Sequence, residues 1–118
     1  MHSIEVINDV ERVGEPSQSG LLCDILWADP VDNAEGELMV KGPFEENETR
    51  GCSYVFGVEA TSAILQQNAL LSVIRAHEAQ LDGYKMHRWK GNENFPPVIT
   101  IFSAPNYCDV YGNKGAVV

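Results

Sequence analysis

Basic side chains are scarce in this sequence. The 118 residues carry 8 Lys and Arg against 17 Asp and Glu, which gives a formal net charge of −9. Because binding to a nucleic-acid backbone relies on clustered Lys and Arg, we expect no nucleic-acid partner. An anionic substrate remains compatible with this charge, because bound cations or one or two arginines dominate the potential inside a cleft.

Long hydrophobic runs are also missing. No stretch reaches the roughly 18 consecutive apolar residues of a membrane span, and the first residues lack the basic and apolar regions of a signal peptide. We therefore expect no membrane partner and a cytoplasmic location, with the nucleus as a second compartment. The 44% share of hydrophobic residues in 118 fits one soluble globular domain with a modest core.

Cysteine is sparse, and several sequence motifs are absent. Cys23, Cys52 and Cys108 form no CxxC pair and lie too far apart for a zinc-binding spacing. We expect reduced thiols, with Cys108 as a small buried hydrophobic side chain. The sequence contains no GxxxxGK, GxSxG or HExxH pattern, which excludes nucleotide kinases, common serine hydrolases and zincin proteases.

The hydrophobic pattern predicts a chain of mixed α and β structure. Two segments have apolar residues at helical spacing, and four short apolar runs are typical of strands. The predicted helices are 3–13 and 58–68, and the predicted strands are 21–27, 70–74, 83–89 and 98–102, with 70–74 and 98–102 buried. We expect loops at 31–48 and 103–115, a turn region at 90–97 and the start of a strand at 116–118.

His77 is a candidate metal ligand. It follows the predicted strand 70–74, which places its imidazole at the strand end, where a cleft would form. Neutral imidazole is a good ligand for zinc, manganese or iron. An isolated histidine with few ligands nearby is more often a hydrogen-bonded structural residue, and the residues alone leave both interpretations open.

Arg50 is a candidate phosphate-binding residue. It lies two residues after the predicted loop 31–48 and precedes Gly51, so its fork of donors has room to bind a phosphate through two hydrogen bonds. The alternative is a surface arginine paired with Glu48 or Glu45, which is the more common situation for a single arginine.

Three further residues leave the ends of predicted strands. Tyr107 follows 98–102 and would reach the same rim as His77, where its hydroxyl group would contact a substrate phosphate. A tyrosine packed as a lid on the core explains it equally well. Trp27 and Asp29 follow 21–27, and a core tryptophan followed by a turn is an equally good interpretation of that pair.

Four segments, in this order, resemble the phosphoprotein phosphatase family. They are LLCDILWADP at 21–30, RGCSY at 50–54, RAHE at 75–78 and SAPNYC at 103–108. They are similar to that family's LLCDLLWSDP, RGVSY or RGCSY, RAHE and SAPNYC. Within the family the calcineurin branch is the most similar, from RAHEAQ at 75–80 and FPPVITIF at 95–102. Two features depart from it: Cys108 stands where animal calcineurin has leucine, and 32–48 follows no single branch.

The resemblance implies a fold and a domain. It implies an α/β (α+β) fold, specifically half of a calcineurin-like metallophosphatase β-sandwich flanked by helices. Residues 1–118 would be the C-terminal part of a serine/threonine phosphatase catalytic domain whose N-terminal half is missing. Apolar strand faces would then lose their partners, so we expect self-association.

The resemblance also implies a reaction. Two metal ions of manganese, iron or zinc would activate a water that hydrolyses phosphoserine and phosphothreonine in proteins. Only one of their ligands, His77, would lie in this chain. Arg50 would hold the phosphate and stabilise its developing charge, Tyr107 would contact the substrate, and Trp27 with Asp29 would form the rim of the substrate site.

The resemblance implies partners as well. These are phosphoproteins and, in a full-length protein, a calcineurin B-like regulatory subunit and calmodulin. The alternative function is that of a catalytically dead fragment that binds regulators or substrates through the loop at 106–113.

Overall fold

This computed structural model describes residues 3–89 and 95–118, in which two α-helices are each followed by three strands. The α-helices are α1 (Leu21–Trp27) and α2 (Val58–Gln67). The strands are β1 (Asp29–Pro30), β2 (Phe44–Glu46), β3 (Tyr54–Phe56), β4 (Val73–Arg75), β5 (Tyr84–His87) and β6 (Val98–Ile101). Short 3₁₀-helices span Ile4–Asp9 and Tyr107–Asp109.

The described strands form two small mixed sheets. In the first, of order β1-β3-β2, β3 pairs in parallel with β1 and antiparallel with β2. In the second, of order β4-β6-β5, β6 pairs in parallel with β4 and antiparallel with β5. This arrangement confirms the prediction of mixed α and β structure.

The core is small, and one tryptophan dominates it. Among the described residues, the buried hydrophobic side chains are Cys23, Trp89 and Val98. Gly36 lies directly on Trp89, with a φ of +71°, and a Cβ atom there would lie 2.4 Å from Cγ of the indole. Glycine is therefore required at position 36, because it removes this clash and adopts the left-handed conformation without strain.

Several apolar side chains in and next to β4 face solvent. Leu71 is 69% exposed and Ile74 is 58% exposed. The prediction of a buried strand at 70–74 is therefore wrong in its burial, and the strand itself is the shorter β4. By contrast, β6 is buried as predicted, with Val98 and Thr100 fully enclosed.

The prediction of a strand at 21–27 is wrong, because this segment forms α1. A short apolar run does not by itself distinguish a strand from a buried helix. The helix places Cys23 in the core and lets a carboxylate oxygen of Asp24 accept a hydrogen bond from the Ser53 hydroxyl at 2.9 Å. A leucine-rich run without valine or threonine also favours a helix over a strand.

The remaining local predictions have mixed outcomes. Helix α2, strand β5 and the loop at 103–115 are confirmed in type, although that loop contains one 3₁₀ turn. The helix at 3–13 is shorter than predicted and of the 3₁₀ type. The loop at 31–48 contains β2, and 116–118 is not a strand. Residues 90–94 of the predicted turn region lie outside the described residues.

None of the helices in residues 3–89 and 95–118 combines the length and the apolar character that crossing a bilayer requires.

Candidate functional site

A cleft of about 560 Å³ opens where the ends of β1 and β4 approach the loop at 103–115. Four of the five residues singled out from the sequence line it, namely Asp29, Arg50, His77 and Tyr107. Trp27 lies directly behind His77, with 4.9 Å between the ring centroids and an edge-on angle of 67°. The chain therefore brings all five into one region, although they are up to 80 positions apart in sequence.

Asp29 is the centre of the hydrogen-bond network beneath this cleft. It belongs to β1, its exposed fraction is only 7%, and both carboxylate oxygens accept two hydrogen bonds each. Oδ2 accepts from Arg50 Nε at 2.8 Å and from Asn47 Nδ2 at 2.9 Å. Oδ1 accepts from Nη2 of Arg50 at 3.2 Å and from Nη2 of Arg75 at 2.9 Å. These four bonds use the full acceptor capacity of the carboxylate.

The surroundings of Asp29 keep it ionised. Burial by itself would raise its pKa, but hydrogen bonds from Arg50 and Asn47 and the positive charges of Arg50 and Arg75 outweigh burial, and the pKa is lowered. The carboxylate thus stays negative at neutral pH and acts as a fixed anchor for two arginines. The same interaction raises the pKa of Arg50.

Arg50 is held by its Nε and Nη2 atoms and is open at the third nitrogen. Besides its bonds to Asp29, Nη2 donates to the carbonyl oxygen of His77 at 2.9 Å. Nη1 has no hydrogen-bond partner among the residues that the structure describes. Because the side chain lines the cleft, this free edge of the guanidinium is available to an anion there.

His77 is exposed at the cleft and has an unusual backbone. Its φ is +89°, a left-handed value that is uncommon for residues other than glycine. Its carbonyl oxygen is bound by Arg50, and its ring packs edge-on against Trp27. Strained backbone of this kind is held in place by surrounding contacts and is common at functional sites.

Tyr107 lies at the rim on a loop that side-chain amides hold together. The Asn113 side chain accepts from the Tyr107 backbone N–H at 2.8 Å and donates to the Ala104 carbonyl at 2.9 Å. The Tyr107 ring packs edge-on against Phe102, with 5.0 Å between the centroids. The Tyr107 side chain is 44% exposed. Cys108 beside it is exposed, so the prediction that Cys108 is buried is wrong.

Sequence reasoning gave no role to three residues of this network. Arg75 pairs with both Asp29 and Glu78. The pKa of Glu78 is raised, mainly by burial and also by the charge of Asp29, although Arg75 opposes the rise. Asn47, the third missed residue, occurs in an Asn-x-x-Arg turn, and the tendency of asparagine to bond backbone two or three residues ahead was the available signal.

The described residues do not form a metal centre by themselves. Among them, no group of three or more His, Cys, Asp or Glu side chains has a suitable arrangement for a metal ion. His77 offers an exposed imidazole, but the oxygens of the nearby Asp29 are already occupied by four donors. The described residues thus offer the imidazole of His77 as a candidate metal ligand and the Nη1 group of Arg50 as a donor to an anion.

The sequence is similar to proteins of known activity. Serine/threonine-protein phosphatase 2B catalytic subunit A1 of Saccharomyces cerevisiae is 44% identical over 124 residues, which cover 100% of this chain and 22% of the yeast protein. This chain is homologous over its whole length to serine/threonine protein phosphatases. Human serine/threonine-protein phosphatase 5 is 37% identical over 116 residues, covering 98% of this chain and 20% of the human protein. No protein-family model matches the chain.

The fold is also similar to that of a solved phosphatase. A solved protein serine/threonine phosphatase from Saccharomyces cerevisiae, described as similar to human phosphatase PP5, matches with a TM-score of 0.73 and 30% identity. The match covers 96% of this chain and 30% of that one. The expected resemblance and the metallophosphatase-like fold are therefore confirmed. The chain spans about a fifth of the two curated phosphatases compared above.

Proposed function

We propose that this chain forms the phosphate-binding part of a metal-dependent phosphatase that hydrolyses phosphoserine and phosphothreonine in proteins. The observation that carries the proposal is the position of Arg50. Its guanidinium lines the cleft, is fixed by Asp29, and leaves Nη1 without a partner among the described residues. Similarity to serine/threonine phosphatases supports a phosphorylated protein as the anion.

Each residue of the site has a proposed role. Arg50 donates to phosphate oxygens and stabilises the charge that develops on them during hydrolysis. Tyr107 contacts the substrate from the rim, and Trp27 fixes the ring of His77 from behind. Asp29 lies at the base of the substrate site and holds Arg50 in place. It does not contact the substrate directly, because it is almost fully buried.

His77 is proposed as one ligand of a metal pair. The family is metal-dependent, and manganese, iron or zinc suit an imidazole ligand. The described residues do not supply a complete ligand set, so the other ligands would have to come from residues outside them. What this chain provides by itself is the binding of the phosphate group.

Location and partners follow from the same proposal. The substrates are phosphoproteins in the cytoplasm or nucleus, and a calcineurin B-like subunit with calmodulin would regulate a full-length protein. The exposed apolar side chains in and next to β4, Leu71 and Ile74, support self-association when nothing else covers them.

A binding measurement tests the proposed role of Arg50. Isothermal titration of the 118-residue chain with a phosphoserine peptide is compared with the Arg50→Ala and Arg12→Ala variants. Arg12 is a matched control because its exposed guanidinium contacts only the Ile7 carbonyl among the described residues. We expect Arg50→Ala to weaken binding about tenfold or more, since a charge-assisted hydrogen bond is lost, and Arg12→Ala to bind like the parent. Equal affinity of the parent and Arg50→Ala would contradict the proposal.

A second function, a catalytically inactive binding module, is favoured by the loop at 106–113. This loop is held rigid by the buried Asn113, yet it exposes Tyr111 and Val110, the latter 78% exposed. Tyrosine is enriched among the residues that contribute most to binding energy at protein interfaces. The test is a pull-down of purified phosphatase regulatory subunits. Binding that survives His77→Ala and Arg50→Ala but is lost in Tyr111→Ala would favour this function over catalysis.

A further inference from the structure

Asn47 is almost completely buried, and its backbone and side-chain polar groups are hydrogen-bonded. Its exposed fraction is 4%. Its backbone N–H donates to the Ser53 carbonyl at 3.2 Å, and its carbonyl accepts from Gly51 N–H at 3.0 Å. The side chain uses its oxygen and its nitrogen on two different partners, Arg50 and Asp29. The polar groups of a buried amide need hydrogen-bond partners, and here both partners belong to the network beneath the cleft.

The two side-chain bonds of Asn47 close a ring around Arg50. Oδ1 of Asn47 accepts from the Arg50 backbone N–H at 3.2 Å, and Nδ2 donates to Oδ2 of Asp29 at 2.9 Å. The same Asp29 oxygen accepts from Arg50 Nε at 2.8 Å. One amide therefore fixes both the backbone of Arg50 and the carboxylate that orients its guanidinium.

This ring determines which edge of the guanidinium reaches the cleft. Asp29 takes Nε and Nη2 of Arg50, so Nη1 is the nitrogen that remains free among the described residues. If Asp29 turned away, the arginine would regain its freedom of rotation, and ordering it again on each binding event would weaken the interaction with an anion. Preorganised donors act more strongly than donors that must reorient.

We propose that Asn47 is a positioning residue, which holds Asp29 and Arg50 so that the guanidinium presents Nη1 to a phosphate in the cleft. Asn47 itself does not touch the anion. The inference rests on the proposed function for its phosphate readout, but the orientation of Arg50 is measurable without any ligand.

The test follows the Arg50 Nε–H group by nitrogen-15 NMR in the full 118-residue chain. This proton is bonded to Asp29 in the parent. In Asn47→Ala we expect its exchange with water to become about tenfold faster and the affinity for inorganic phosphate to fall about tenfold, because one bond of the ring is lost. Asn47→Asp keeps the size and the acceptor for Arg50 but removes the donor to Asp29, and it should show the same two changes.

Asn33→Ala is the matched control. Asn33 also orders a loop with its side chain, which accepts from Gly36 N–H at 2.7 Å and donates to the Glu37 carbonyl at 2.7 Å, but it does not bond to Asp29 or Arg50 among the described residues. This variant should leave the Arg50 signal and phosphate binding unchanged. Equal loss in the control would mean that Asn47 acts only on general stability, and this would overturn the inference.

The outcomes separate this inference from the proposed function. Unchanged exchange of the Arg50 Nε–H group in both Asn47 variants, with their backbone spectra showing a folded chain, would overturn the positioning role. A parent chain that binds no phosphate would contradict the proposed function, while the exchange rates would still decide the role of Asn47.

Discussion

Acidification from pH 7 to pH 4 should destabilise this chain through His87. The ring of His87 is buried beside Trp89, and its Nε2 lies 2.9 Å from the Thr100 hydroxyl oxygen. Burial, with a smaller contribution from the positive charge of Lys85, lowers the pKa of His87 from 6.5 to about 4. In the unfolded chain the ring is exposed and titrates with an ordinary pKa of about 6.5.

The sign and size of the effect follow from this difference. Between the two pKa values the unfolded chain binds a proton that the folded chain does not, so stability is full above pH 6.5 and falls as the pH decreases toward 4. At about 1.4 kcal/mol for each pKa unit, the total loss from His87 is about 3 kcal/mol. That is a large fraction of the stability of a small domain.

Urea unfolding at several pH values between 7 and 4.5 measures the effect. The contribution of His87 to the free energy of unfolding should fall most steeply near pH 5, midway between the two pKa values, with a slope of about 1.2 kcal/mol per pH unit. The His87→Gln variant has no titrating ring at this position, so the difference between the two slopes isolates His87 from the carboxylates. Equal slopes for the parent and the variant would refute the assignment of a buried neutral histidine.

Three other predictions concern stability and thiol reactivity. Asp29→Asn should lower the free energy of unfolding by about 3 kcal/mol, because a buried charge with two arginine partners is removed; an unchanged thermal midpoint would contradict the network. Gly36→Ala should cost about 2 kcal/mol or more in urea unfolding, because the added Cβ meets Trp89 at a positive φ; a loss below about 0.5 kcal/mol, the scale of an ordinary surface change, would show that this contact is not tight. Iodoacetamide should alkylate the exposed Cys108 before Cys23, because burial raises the pKa of the Cys23 thiol; faster labelling of Cys23, measured by mass spectrometry, would contradict its burial.

The local sequence pattern predicts those helices and strands whose hydrophobic spacing agrees with their burial in the fold. Helix α2 has apolar residues at helical spacing and ends near Asn68, as expected. Strand β6 alternates fully and partly buried residues, as a strand in the middle of a sheet does. The segment 21–27 was predicted wrongly because seven mostly apolar residues are too few for periodicity to separate a helix from a strand.

The residues of the candidate site were likewise predicted only in part. The resemblance to the phosphatase family pointed to Arg50, His77 and Tyr107, because each of them lies in one of the matching motifs. The roles of Asn47 and Arg75 depend on Asp29, which is 18 positions from the first and 46 from the second. Hydrophobic periodicity is a local signal and carries no information on contacts between residues so far apart in sequence. These contacts are therefore seen only in the folded structure.

Hydrolysis by a reassembled domain tests the central claim most directly. The 118-residue chain is combined with the part of the yeast phosphatase 2B catalytic subunit A1 that precedes the matched region, and hydrolysis of a phosphoserine peptide is followed in the presence of manganese. We predict activity with the parent chain and with Arg12→Ala, and an activity lower by about a hundredfold or more with Arg50→Ala, the effect of removing a donor that stabilises transition-state charge. No hydrolysis by the reassembled parent, or equal hydrolysis with Arg50→Ala, would contradict the account of this chain as the phosphate-binding part of a phosphatase.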